Sequence, residues 1–349
     1  MRKRLQKWVL LAVLGLLLFA VPLASADAVA GTDLASNTDV NTENEENAGT
    51  DENAGTEENA GTNEITGTNE TAGTAWPIME LHQVNLGSAD GYVIRFNGTT
   101  VLIDGGEAWP DLPERIYPQY LEALGITHVD VYIITHWHDD HCMNLNYVLE
   151  RYGDENTIVY GVSEELNAAY DPLANGAQYR QMKDGDEFVI GDLLKVNCVG
   201  PETVRNNGLA NMDSLNFLLT YGEKRILFTG DYAASGNMNR KYKELLTYID
   251  VLKFPHHGIR EDSGDFVIGV AVTKVLTPMY VLVPGSTSVW DIWSFTAGYS
   301  NEPRLTRDHI YTNKHGNILM FTNGIDIVFR TEVDPADYAQ YQAERDLSE

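Results

Sequence analysis

The stretch that most restricts the fold of this chain is residues 135–141, THWHDDH, set directly behind the apolar run 129–134. An apolar run of this length, unbroken but for Asp130, reads as a strand buried on both faces. Three of the chain's nine histidines and two aspartates then fall within the next few positions. In extended backbone, residues i and i+2 point the same way, so His136 and His138 can reach one metal ion. Asp140 and His141, a step further on, can turn to a second ion nearby. Trp137 and Asp139 point elsewhere. Imidazole nitrogen and carboxylate oxygen are suitable ligands for a hydrolytic transition metal. The fold must therefore deliver the end of a buried strand into a polar, ligand-rich loop.

Around that loop the chain is rich in short strands. The first half predicts strands at 79–86, 91–96 and 100–104, with Asn97-Gly98 as a hairpin signal. A helix is expected at 111–124, ended by Gly125, and another at 143–151. The second half predicts strands at 187–190, 194–199, 214–221, 225–229, 251–254, 279–283, 318–322 and 326–330. A helix is expected at 237–247, and a terminal helix or tail after Asp334. Residues 312–317, TNKHGN, read as a hairpin turn. Two strand-rich halves with interspersed helices imply an α+β sandwich, two mixed sheets with helices outside, in four αββα layers.

The N-terminal fifth differs in kind. Arg2, Lys3, Arg4 and Lys7 precede an apolar run, 8–20, broken only by Gly15, and Ala24-Ser25-Ala26 offers a cleavage pattern. Residues 1–26 read as a secretory signal peptide. The alternative is an uncleaved anchor that would tether the protein. Residues 27–75 carry an imperfect E-N-A-G-T repeat with no Lys, Arg or aromatic residue. Such a tract cannot bury enough apolar surface to offset chain entropy and is expected to be a disordered acidic linker. The remaining domain, 76–349, holds 39 acidic and 20 basic side chains, a net of −19. That charge argues against nonspecific affinity for nucleic acid. It does not exclude nucleic acid from a locally cationic, metal-bearing site. Cys142 and Cys198 are expected as two separate buried thiols, with a disulfide as the alternative in an oxidising compartment.

The H-x-H-x-D-H pattern resembles the signature of the metallo-β-lactamase superfamily, and further segments extend the resemblance in the family's order. VLIDGG (101–106) is similar to the first motif, in which Asp104 would steady the metal loop from behind the ligands. ILFTGD (226–231) looks like the motif whose aspartate, here Asp231, bridges two metals. LKFPHHG (252–258) looks like the motif supplying a late histidine. The opening segment 79–106 and NMDSLNFLLTYGEKRILFTGD are similar to the hydrolase domain of ComEC-type competence proteins, although the usual LDVGQGD is altered here to VNLGSAD. That branch includes secreted relatives and the phosphorylcholine esterases of Gram-positive surfaces. One departure matters: no histidine lies between Cys142 and Asp231, and Asn211, Asp213 and Ser214 occupy the segment where other relatives place one.

The resemblance implies a domain at 76–349 with the metallo-β-lactamase sandwich fold and a dinuclear centre of Zn2+ or Mn2+. One ion is expected on His136, His138 and Asp231, the other on Asp140, His141, Asp231 and His256. His256, nearest the strand end, is taken as the ligand with His257 as the alternative; the other of the pair would donate a hydrogen bond to the phosphate or leaving oxygen, and Asp140 would orient the attacking water. One imidazole fewer shifts the balance toward manganese or mixed occupancy. The reaction class implied is phosphodiester hydrolysis of DNA or a cell-wall polymer. The rival readings are a lactonase or thioesterase and a non-catalytic binding module. Trp137, Trp290 and Trp293 could stack a base or cage a quaternary ammonium, or be ordinary core and surface residues. His82, His128, His309 and His315 are left outside the site.

Overall fold

Alternation along the strands sets the layers. The computed structural model describes residues 76–343 except 108–114, 166, 234–237, 239, 261–262 and 297–303. The expected signal peptide and linker lie outside the described residues. Among the described residues no helix is long and apolar enough to cross a membrane.

One sheet has eight strands: β1 (Met79–Gln83), β2 (Gly91–Phe96), β3 (Thr99–Asp104), β4 (Val131–Ile133), β5 (Ile158–Gly161), β6 (Gln178–Gln181), β14 (Ile318–Thr322) and β15 (Ile327–Arg330), in the order β15-β14-β1-β2-β3-β4-β5-β6. The other has seven: β7 (Glu187–Ile190), β8 (Leu194–Gly200), β9 (Asn216–Tyr221), β10 (Lys224–Phe228), β11 (Val251–Lys253), β12 (Tyr280–Val283) and β13 (Ile310–Thr312), in the order β13-β12-β11-β10-β9-β8-β7. Ile94, Phe217, Ile226, Phe228 and Val251 enter the core between the sheets, while their neighbours Val93, Leu218, Leu227 and Leu252 point outward. Both sheets therefore need a second cover. Helices α1 (Ile116–Ala123) and α3 (Leu145–Tyr152) supply it on the first sheet through Tyr117, Leu121, Leu145 and Leu149. Helices α4 (Ser263–Leu276) and α5 (Val289–Thr296) supply it on the second through Val272, Leu276 and Ile292. The result is the expected α+β four-layer sandwich. Tyr92 meets Phe228 edge-on across the sheets at 5.0 Å between ring centroids. Such a pair adds about 0.5–1.5 kcal/mol beyond its area burial.

Several local expectations change. Residues 312–317 do not make a hairpin, because β13 and β14 belong to different sheets. Instead Asn313–His315 forms one 3-10 turn, capped by Thr312 and carrying the chain between sheets. The helix expected at 237–247 is present at 238, 240 and 241 and passes into turns from 242 to 248; Asn237 and Asn239 lie outside the described residues. Three strands, at 158–161, 178–181 and 310–312, and the two helices α4 and α5 were not expected. Cys142 and Cys198 are both buried free thiols in separate core clusters, so the disulfide alternative falls.

Strand direction places the site. β3, β4 and β5 run parallel, as do β10, β11, β12 and β13. The loops that leave their carboxyl ends gather along one rim, where ligands of α/β sheets collect. The antiparallel β2 and β9 begin at that same rim.

Candidate metal centre

Asp104 closes β3 in the left-handed region, at φ 53°. Behind it Gly105 and Gly106 lie against the short turn α2 (Asp139–Cys142). The Gly105 N–H donates to the His141 carbonyl at 2.7 Å, and the Asp90 N–H donates to the Asp140 carbonyl at 3.0 Å. A Cβ on Gly106 would stand 1.8 Å from the Asp140 carbonyl carbon, so only glycine permits this approach. The carboxylate of Asp104 accepts from the Thr135 N–H and hydroxyl, each at 2.8 Å, and lies 2.9 Å from His141 Nδ1. Holding Nδ1 from behind turns His141 Nε2 toward the centre of the site.

That centre is Asp231, fully buried in the turn after β10. Its Oδ1 lies 3.0 Å from His141 Nε2 and 3.6 Å from His257 Nε2. Its Oδ2 lies 3.7 Å from both His136 Nε2 and His256 Nε2. On the first side, Asp140 Oδ2 stands 3.1 Å from His257 Nε2. On the second, His138 Nδ1 stands 3.0 Å from His136 Nε2. Both Asp231 oxygens and His141 Nε2 are buried without a hydrogen-bond partner. A buried carboxylate left so costs several kcal/mol unless a cation meets it. Lone pairs that converge at 3.0–3.7 Å without hydrogen-bond alignment fit a metal on each side. Groupings of ligand atoms within 4.8 Å of one another fall the same way, as His136, His138 and Asp231, and as Asp90, His141, Asp231 and His257.

The expected ligands His136, His138, Asp140, His141, Asp231 and His256, with His257 and Asp104, all meet at this rim. The two late histidines take different neighbours from those expected. His257, expected beside the phosphate, stands with Asp140 and His141. His256, expected with Asp140 and His141, faces the opposite oxygen of Asp231, and its Nδ1 lies 2.9 Å from Asp265. Both histidines are left-handed, at φ 47° and 51°. Two non-glycine residues in succession there store backbone strain, and strain of this kind collects at functional sites. Trp137 is buried, its indole N–H donating to Ser163 at 3.1 Å, so it offers no free face to a ligand. Trp290 and Trp293 both lie under Arg307, whose Cζ is 5.8 and 5.6 Å from their ring centroids.

Where relatives place a third histidine, Asp213 accepts three backbone N–H bonds, from Arg205, Asn206 and Gly208, and serves the loop. Ser214 Oγ accepts from the Asp231 N–H at 3.0 Å and lies 3.3 Å from His136 Nδ1. Asn211 Nδ2 lies 3.4 Å from His256 Nε2.

Sequence reasoning missed two residues. Asp90, before β2, lies 2.9 Å from His257 Nδ1. Lys253, wholly buried at the end of β11, donates to Asp90 and to the Gly230 carbonyl, and its Nζ is 3.8 Å from Asp231 Oδ1. The signals were present: Asp90 ends the altered VNLGSAD element, and a lysine interrupts the apolar strand LKF. Burial would raise the Asp90 carboxyl, but the Lys253 ammonium and the neighbouring histidines hold it below the usual range. Burial also opposes charge on His257, yet Asp231 and Asp90 outweigh it and push its pKa to about 9. His136 moves the other way, driven well down by burial and by His141.

A family model described as the metallo-beta-lactamase superfamily matches residues 84–273. ComE operon protein 3 of Bacillus subtilis (strain 168) is 26% identical over 205 residues, covering 53% of this chain and 26% of that protein. The chain thus spans about a quarter of that relative's length. Among solved structures, the metallo-beta-lactamase fold protein YhfI from Bacillus subtilis aligns at a TM-score of 0.48 and 13% identity, covering 67% of this chain and 97% of that one. Igni18, a metallo hydrolase from Ignicoccus hospitalis, aligns at 0.47 and 16%, covering 73% and 100%.

Proposed function

The chain belongs to the metallo-β-lactamase superfamily and carries that superfamily's metal-dependent hydrolase architecture, and on that premise we propose that it is a secreted, dinuclear phosphodiesterase acting on DNA or a cell-wall phosphodiester. The observation that carries the reading is Asp231: one buried carboxylate whose two unpartnered oxygens face two separate histidine groups. Oδ2 with His136, His138 and His256 would hold one ion. Oδ1 with Asp140, His141 and His257 would hold the other. Bound there, two divalent ions, Zn2+ or Mn2+, lower the pKa of water and neutralise the charge of a phosphate.

The chain's own residues do the rest. Asp104 and Asp90 keep the outer nitrogens of His141 and His257 engaged, so that both rings present Nε2 inward. Asp140 is the site carboxylate that reaches solvent, its side chain 32% exposed against 1% for Asp231. It is placed to orient a water molecule and to take its proton. The resemblance of residues 79–106 and 211–231 to the ComEC-type hydrolase branch, and the absence of a histidine between Cys142 and Asp231, support a phosphodiester over a lactam or lactone substrate. The basic and apolar N-terminus with Ala24-Ser25-Ala26 supports export.

The test is hydrolysis of bis-p-nitrophenyl phosphate by the full chain, after chelation and after return of manganese or zinc. Restored turnover is expected. Two bound metals without phosphodiester cleavage, but with lactone or thioester cleavage, would overturn the reading. N-terminal sequencing of protein recovered from the medium should begin at Asp27.

A further inference from the structure

Beside the metal centre, on the His257 side, lies a second pocket of about 360 Å³. Its wall is shared with the site through His257 itself. The rest comes from three loops of the same rim, Ser88 before β2, Ile259 and Arg260 after β11, and Ser286–Ser288 after β12, and from Asp291 on α5. The loops are fixed before any ligand arrives. The Thr287 hydroxyl donates to the Gly258 carbonyl, and the Asn313 side chain donates to the Gly87 carbonyl. The Asn313 N–H donates to the Gly285 carbonyl at 2.9 Å. Arg260 is held at the mouth by Asp291, 3.2 Å away, with its Cζ 5.4 Å above the Phe295 ring.

We propose that this pocket binds the phosphate group adjacent to the scissile one in a phosphodiester chain, with Arg260 and the serine hydroxyls as its ligands. The inference rests on the phosphodiesterase reading and adds a substrate class to it, a polymer of repeating phosphodiesters. Three observations select that class. The lining is hydroxyls and a guanidinium, which are donors to phosphate oxygen, and a guanidinium has five N–H groups of which Asp291 can take only some. The one carboxylate among its described lining residues, Asp291, is already paired with Arg260. In the aromatic pair that a choline group would need as its cage, Trp290 and Trp293, each ring already has the chain's own Arg307 guanidinium over it. The chain's overall acidity then makes a local guanidinium more necessary, since Arg260 is the pocket group whose positive charge does not depend on pH.

The experiment compares two nucleotide esters on the metal-loaded full chain. One is thymidine 5′-(p-nitrophenyl phosphate). The other carries a 3′-phosphate as well. The 3′-phosphate is expected to lower KM about tenfold, the scale of one charge-assisted contact. In Arg260→Ala the KM ratio of the two esters should fall toward one, and Arg260→Lys should recover part of it. No KM advantage in the wild type, or an advantage that survives Arg260→Ala, overturns the proposal. So does preferred turnover of p-nitrophenylphosphorylcholine over both nucleotides. Oligothymidylate and a glycerol-phosphate oligomer serve as competitors: inhibition by either supports the pocket and the stronger names the polymer, whereas inhibition by neither overturns it. Failure of the phosphodiesterase reading is read separately, as no hydrolysis of bis-p-nitrophenyl phosphate. In that event calorimetry of thymidine 3′,5′-bisphosphate with the chelated protein decides the pocket. Binding that Arg260→Ala weakens tenfold supports it, and binding that is absent or unchanged overturns it.

Discussion

The two halves of the metal centre are held by different forces. The half built on β3 and β4 is held mainly by close backbone packing and short hydrogen bonds: Gly105 and Gly106 against α2, and Thr135 and the Asp104 carboxylate behind His141. The half built on β10 and β11 is held by buried charge and strained backbone: Lys253 against Asp90, and two left-handed histidines in succession. Asp231 stands between them and touches both. The difference teaches that ligand geometry can be enforced either by sterics or by electrostatics. Each half should fail in its own way.

Removing what the halves share has the largest effect. Asp231→Asn should lower metal-restored phosphodiester turnover by about 10³-fold or more, and elemental analysis should find fewer than two tight metals per chain. Near wild-type turnover in that variant would sink the dinuclear reading.

Next comes the charged half. Lys253→Met leaves Asp90 buried without its cation, and breaking such a pair costs about 3–5 kcal/mol. Denaturant unfolding of the chelated protein measures it. Asp90→Asn combined with Lys253→Met should recover much of the loss, because no isolated charge then remains. If the two substitutions simply add, the pair is not the clamp described.

The packed half is broken by Gly106→Ala. The new methyl meets the Asp140 backbone, and overpacking against immobile backbone costs about 3 kcal/mol. Unlike Lys253→Met, this loss should be insensitive to pH and salt.

The smallest effect is the pH dependence of the metal-free protein. His257 titrates near 9 in the folded chain, against about 6.5 when unfolded. A raised pKa stabilises fully below the unfolded value and is lost as pH rises through the folded one. The Tm of chelated protein should therefore fall between about pH 6.5 and 9, while metal affinity rises over the same window as the ring gives up its proton. His136, pushed well down, acts in the opposite sense. The unfolded chain takes up a proton that the buried ring refuses, so its contribution is lost as pH falls through about 6.5. A Tm that is flat across both windows would mean that the two rings do not differ as described.

Much of this was legible in the chain. β2 lies where alternation and the Asn97-Gly98 turn put it, and THWHDDH announced a metal loop behind a buried strand. What escaped had a weak local signal. β6, QYRQ, is an exposed edge strand with no apolar alternation, and α4 is rich in β-branched residues that carry little helix preference of their own. At the site, Asp90 and Lys253 are 163 positions apart and look like surface charges until the fold buries them together.

The sequence by itself determined the ligand types, the strand-end loops that carry them and the four-layer architecture, because periodicity and residue chemistry are local properties. The tertiary structure alone decided which histidine of the HHG pair faces which oxygen of Asp231, that a lysine closes the back of the centre, and that Arg260 overlooks a second pocket. These depend on the approach of loops from two sheets, and no spacing along the chain encodes a distance between sheets.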